Sequence, residues 1–79
     1  MRVDLFLKET RIIKRRTIAK EFCDRGLVMV NDKVVKPSYE VKEGDKLVIK
    51  LGNKVLSALA HIDNTGKKEK GSYEPIQSE

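Results

Sequence analysis

The chain has 79 residues, 37% of them charged and 5% aromatic, and so makes one small domain that buries only about 60% of its unfolded surface. A single cysteine, Cys23, and a single histidine, His61, exclude an internal disulfide and a Cys/His zinc cluster, the staples on which short chains often depend. The formal net charge of +5 is concentrated early: residues 1–26 hold eight bases and four acids, and the rest of the chain adds only +1. A one-sided basic field points to a polyanion as partner.

The first element predicted is a short helix over residues 2–9, because Val3, Phe6 and Leu7 recur at i, i+3 and i+4. Glu9-Thr10-Arg11 is a polar connection, and Ile12-Ile13 is expected to dock into the core behind it. The second helix lies in Lys14–Gly26. Its apolar stripe is Ile18, Ala19, Phe22 and Cys23, and Gly26 ends it as the residue that takes a left-handed C-cap without strain. A small buried hydrophobe is the expected role of Cys23, since no histidine stands near it to activate a nucleophile.

That second helix opens on Lys14-Arg15-Arg16, with Lys20 one turn beyond Arg16. Three cations oppose the helix dipole, each at a cost of about 0.3–1 kcal/mol, and no acid stands among them. Such a conflict fits a solvated basic helix end, and it also fits a site that an anion completes. Helix amides and arginine forks then serve the same phosphate. Five of the eight early bases are arginines, which grip phosphates bidentately, so phosphate binding is the stronger reading.

Two such short helices cannot cover themselves and need a sheet to lie on. Leu27–Val30 and Lys33–Lys36 read as a hairpin around Asn31-Asp32, both of which tolerate positive φ. Pro37 closes the second strand, and Ser38–Lys42 is an irregular bridge with Tyr39 and Val41 as its anchors. Glu43-Gly44-Asp45 is a turn before a strong strand at Lys46–Leu51, and Gly52-Asn53 turns the chain into a last strand at Lys54–Ile62. The expected fold is α+β: two helices on an antiparallel sheet of about four strands, over residues 1–62. Residues 63–79 are glycine- and charge-rich and are expected to form a flexible polar tail. Lys67, Lys68 and Lys70 could brush RNA there, although a solvated end explains the composition more simply.

No catalytic constellation is present. Glu40, Glu43 and Asp45 gather at a turn, which is the pattern of a solvated loop and not of an acid–base pair. The glycines sit singly at turns and form no phosphate-cradling loop. No cofactor, metal or catalytic residue is expected, and the chain reads as a non-enzyme. It lacks an apolar run suited to a signal peptide or a membrane span, so a cytoplasmic protein without membrane contact is expected. With Phe6 and Phe22 committed to the core, base stacking on a sheet is disfavoured. Recognition by arginine and lysine of A-form RNA shape remains.

Arg2-Val3-Asp4, Phe6-Leu7, Lys14-Arg15-Arg16, Ala19, Gly26, Val30-Asn31 and Gly44-Asp45 follow the order of a known family. Over residues 1 to about 51 the chain resembles the small RNA-binding domain named after the fourth protein of the small ribosomal subunit, the S-four (S4) domain. The resemblance implies a helix–loop–helix that binds structured RNA, packed on a small bent antiparallel sheet. Most members carry serine where this chain has Arg15, so Arg15 adds a charge to the pattern. No attached catalytic domain is expected, and with IIKRRTIAKE and a short polar end the chain is most similar to the RqcP (YabO) family of ribosome-associated quality control.

By that resemblance Arg2 and Arg16 bind RNA, with Lys8, Arg11, Lys14, Arg15 and Lys20 in support. The implied partners are large-subunit rRNA, peptidyl-tRNA, the stalled large ribosomal subunit and RqcH, which appends alanine to the stuck chain; the implied state is a monomer. Two other classes stay open: a heat-shock type that binds free large subunits for recycling, and a basic adaptor for an acidic protein.

Overall fold

Val3, Phe6 and Leu7 build helix α1, Val3–Glu9, in a computed structural model that describes residues 1–66 and 69–76. The exposed amides at the start of α1 are taken by a neighbouring loop: Val3 N–H donates to the Tyr39 carbonyl at 2.8 Å and Asp4 N–H to that of Pro37 at 3.3 Å. At the other end the Thr10 hydroxyl donates to the Phe6 carbonyl at 2.7 Å. Arg11 then adopts φ +62°, in the left-handed region. The turn it makes lets Ile13 N–H reach the Leu7 carbonyl at 3.1 Å and buries the Ile13 side chain. Ile13 docks as the pattern predicts, and Ile12 packs half-buried beside it.

Helix α2 spans Arg16–Asp24, with Arg15 extended at its N-cap. Of the basic triplet only Arg16 is helical. Ala19 and Cys23 are buried and Phe22 half-buried, while Ile18 is 39% exposed. The buried stripe is narrower than the periodicity predicts, because only the Ala19–Cys23 row is fully covered and Ile18 lies 100° away from it. Gly26, at φ +74°, ends the helix. Leu27 N–H returns to the Phe22 carbonyl and Gly26 N–H to that of Cys23, a closed pair of bonds that satisfies the last turn.

Strand β1 is Val28–Val30 and β2 is Lys33–Val34. Asn31 and Asp32 join them at φ +51° and +69°, the mirror-image turn that suits the twist of a hairpin. Strand β2 is shorter than expected, because Val35 turns inward to be buried. Strand β3 is Lys46–Leu51, β4 Lys54–Asp63 and β5 Lys70–Pro75, and the sheet order β2-β1-β3-β4-β5 is antiparallel throughout. Val28, Val30, Leu47, Ile49, Ala58 and Ala60 alternate onto one buried face, and the two helices cover it with Val3, Phe6, Leu7, Ala19 and Cys23.

The fifth strand corrects the expectation that residues 63–79 lack a fold of their own. Strand β4 is long enough to pair twice, with β3 through Lys54–Leu59 and with β5 through Ala58–Asp63. In β5, Tyr73 lies opposite Ala60 and packs on the core, while Lys70, Ser72 and Glu74 face solvent. An edge strand needs only main-chain partners and one apolar face, so a polar composition does not forbid it. Gly71 sits so close to α1 that a Cβ there would fall 2.9 Å from Phe6 Cδ2. Lys67 and Lys68, read as cations of the tail, lie outside the described residues.

Segment 38–42 holds one further surprise. Val41 is buried and its N–H donates to the Met1 carbonyl at 2.8 Å, but Tyr39, expected as a second anchor, is 36% exposed. Its backbone is committed to α1; its ring is left outside. No helix among the described residues is long and apolar enough to cross a membrane.

Candidate nucleic-acid interface

Asp4 is the only buried charged side chain among the described residues, at 3% exposure. It sits in the first turn of α1, where a negative charge suits the helix dipole. Its Oδ1 accepts the Leu5 N–H at 2.7 Å. Its Oδ2 receives two arginines: Arg2 Nη2 at 3.3 Å and Arg16 Nε at 3.4 Å. A buried carboxylate left alone would be costly, and the two guanidiniums offset its lost hydration. Each arginine stays about half exposed, with side-chain exposures of 49% and 47%. Arg2 comes from the residue before α1 and Arg16 from the first turn of α2, so one acid registers the two helix starts against each other.

The acid missing from the basic triplet is therefore supplied by the neighbouring helix. The triplet is only partly relieved, since Asp4 meets Arg16 and leaves Lys14 and Arg15 without an ion pair among the described residues. The α2 N-terminus has no side-chain cap and no acid in its first turn. Arg16 presents its Nε to Asp4 and has neither Nη group in an ion pair among the described residues.

The structure sorts six of the seven basic residues singled out in the sequence into two clusters, and all seven are exposed. Arg2 and Arg16 converge on Asp4, and Lys20, one turn along α2 from Arg16, lines a groove with Arg2. Lys8, Arg11 and Lys14 line a separate hollow beyond the other end of α1, with Glu9 beside them; Glu9 pairs loosely with Lys8 at 3.8 Å. Arg15, at the N-cap, borders neither hollow. Arg11 occupies a left-handed position that glycine would adopt without strain. A long side chain is held there at a conformational cost of about 1 kcal/mol.

Several other ionisable groups are already engaged. Burial, and secondarily the carboxylates of Asp4 and Asp24, push the Cys23 thiol up to about 11, which keeps it protonated and unreactive. Glu43 accepts from His61 Nδ1 at 2.9 Å and from Ile62 N–H at 2.7 Å, and these bonds hold its carboxyl below the usual range. Asp45 accepts from Asn31 and from Lys42 N–H. The Met1 amino group pairs with Glu40 and Glu69. The acids gathered near the 43–45 turn thus tie strands together.

Sequence reasoning missed Asp4 as the organiser. A signal existed: Asp4 lies one turn before Leu7 on the apolar side of α1, where a charge needs a partner. It could not name the partners, because Arg16 is twelve positions away and reaches it only through the fold.

The family model described as the S4 domain matches residues 1–47. RQC P-site tRNA stabilizing factors are similar over most of their length. That of Halalkalibacterium halodurans is 48% identical over 73 residues, which span 91% of this chain and 83% of that protein. The Streptococcus pneumoniae protein is 46% identical over 79 residues, 96% of this chain and 90% of that one.

This chain belongs to that family. It is an S4 domain protein of the group of RQC P-site tRNA stabilizing factors. The Bacillus subtilis member is 42% identical over 91% of this chain and 85% of its own. Among solved structures, trimeric Vibrio cholerae Heat Shock Protein 15 superposes with a TM-score of 0.78 at 23% identity, covering 96% of this chain and 81% of that one; this likeness is one of fold.

Proposed function

We propose that the chain is a non-enzymatic RNA-binding factor of ribosome-associated quality control that steadies peptidyl-tRNA on a stalled large ribosomal subunit. The observation that carries this reading is the convergence of Arg2 and Arg16 on buried Asp4 beside the uncapped start of α2. It gives a pre-aimed pair of phosphate forks on a face whose early residues hold most of the net charge. Relatives named for stabilizing a P-site tRNA, at 42–48% identity, support tRNA as one of the ligands. Two separated cationic clusters suit two RNA segments, large-subunit rRNA and tRNA. The factor acts as a monomer in the cytoplasm and assists RqcH while alanine is added to the stuck chain.

Shape-led contacts from each cluster are individually weak and become strong when offered together, through effective concentration and not through any new bond. Sedimentation with purified empty large subunits, subunits loaded with peptidyl-tRNA, and intact ribosomes tests this. The expected result is a preference of about tenfold or more for loaded subunits. Equal binding to empty and loaded subunits removes tRNA from the reading. Tight binding to intact translating ribosomes removes the split-subunit target altogether.

A further inference from the structure

Tyr39 is the most exposed of the four aromatic side chains, and its surroundings are specific. With Val34, which is 59% exposed, it walls a shallow hollow of about 530 Å³ beneath the β1–β2 hairpin. Lys33, Lys36 and Ser38 form the polar rim, and no acid lines the hollow. Neither lysine is in an ion pair among the described residues. Through Val34, Val35, Lys36 and Ser38 the hollow runs directly into the groove that Arg2 and Lys20 border, where Asp24 is the one acid in the lining. The backbone that carries the ring is held in place, since the Tyr39 carbonyl accepts the Val3 N–H beside Arg2 and the Tyr39 N–H donates to the Lys36 carbonyl.

We propose that this hollow is a nucleotide subsite: an unpaired RNA base stacks on the Tyr39 ring against Val34, and its flanking phosphates meet Lys33 and Lys36. It rests on the RNA-binding reading above and extends it from backbone shape to one unstacked base. An aromatic face with an apolar neighbour suits any base, because every base presents a π-face, and lysines to either side track the strand that carries it. Continuity with the Arg2 groove makes the unpaired nucleotide part of the same RNA that the arginines hold. Such a ligand is a bulge or a splayed loop residue and not a continuous duplex.

The test uses fluorescence anisotropy with two labelled RNA stem–loops of equal length, one fully paired and one carrying a single unpaired adenosine in its stem. The parent protein should prefer the bulged RNA by about tenfold, the scale of one base–aromatic stack. Tyr39→Ala should lose that preference and Tyr39→Phe should keep it. Both variants should retain the parent circular dichroism, because the main-chain bonds of residue 39 remain. Replacing Lys33 and Lys36 together by glutamine should lower the slope of log affinity against log salt by about 1.4–1.8 on the bulged RNA. Arg16→Ala, in parallel, should weaken both RNAs alike. A Tyr39→Ala protein that still prefers the bulge, or a parent that never does, overturns the subsite while the Arg16 effect stands. If Arg16→Ala also changes nothing, the RNA-binding reading itself falls.

Discussion

Helix α1 separates two regions built on opposite terms. Toward α2 it offers Asp4, and what gathers there is charged and half-exposed: Arg2, Arg16 and the open start of the next helix. Toward β5 it offers Phe6, fully buried under Gly71 with Tyr73 nearby on the same core. Stability is concentrated on the second side, because dry contacts are lost whole when disturbed. Binding is concentrated on the first, where side chains can be removed and water takes their place. The two properties should therefore come apart under mutation, and each variant below is chosen to force them apart or to show that they cannot be separated.

The largest effect is expected from Gly71→Val. Its φ is not in the left-handed region, so the backbone accepts a side chain; the space does not. A Cβ would stand 2.9 Å from Phe6 Cδ2 and 3.0 Å from Met1 Sδ, and Phe6 has no exposed side toward which to move. Overpacking of this kind costs about 1–3 kcal/mol, which in a domain this small lowers the melting temperature by roughly 5–20 °C. RNA affinity measured well below the transition should be unchanged. A parent-like melting temperature would mean that β5 is not seated on α1, and the chain would then end its folded part at β4.

Arg16→Ala is the opposite case. Arg16 is half exposed, and Arg2 still meets buried Asp4 when it is gone, so thermal stability should move little. Loss of a charge-assisted contact should weaken RNA binding by about 1–3 kcal/mol, read by filter binding on large subunits. Arg16→Lys should recover only part, because an ammonium cannot present one nitrogen to Asp4 and a fork to a phosphate at once. Full recovery by lysine would reduce the site to net charge.

The same division explains what the sequence made legible. Local rules sufficed for α1, α2 and the first four strands: the helical spacing of Val3, Phe6 and Leu7, the glycine at 26, and the turn residues at 31–32 and 52–53 each act over a few positions. The seven cations were visible by type, and the fold brings six of them into two clusters. What stayed hidden depends on contacts between distant residues. Lys70–Pro75 has too few apolar side chains to announce a strand and becomes one because β4 offers it an edge. Tyr39 was expected inside and lies outside, because only Val41 of that segment points to the core. The pairing of Asp4 with Arg16 had no local trace at all.

The smallest expected effect, and the most discriminating, belongs to Asp4→Asn. Removing an acid raises the formal net charge from +5 by one, and long-range attraction to a polyanion should then increase slightly. The anchoring argument predicts the opposite sign. Asparagine keeps the volume and an oxygen for the Leu5 N–H, but the group it places toward Arg2 and Arg16 is an amide with no charge to hold them. Both guanidiniums swing into solvent, and ordering them again must come out of the binding energy. Because the freed arginines are half exposed, they rehydrate, so folding should lose only about 1 kcal/mol and not the larger penalty of a stranded buried charge. Binding should weaken by about the same amount, roughly fivefold, from the ordering of two long side chains. An affinity measured against salt separates the two causes. The slope should stay as in the parent, since the phosphates contacted are the same, while the intercept falls. Tighter binding in Asp4→Asn would show that the carboxylate merely dilutes the positive field, and that the geometry at the two helix starts plays no part in recognition.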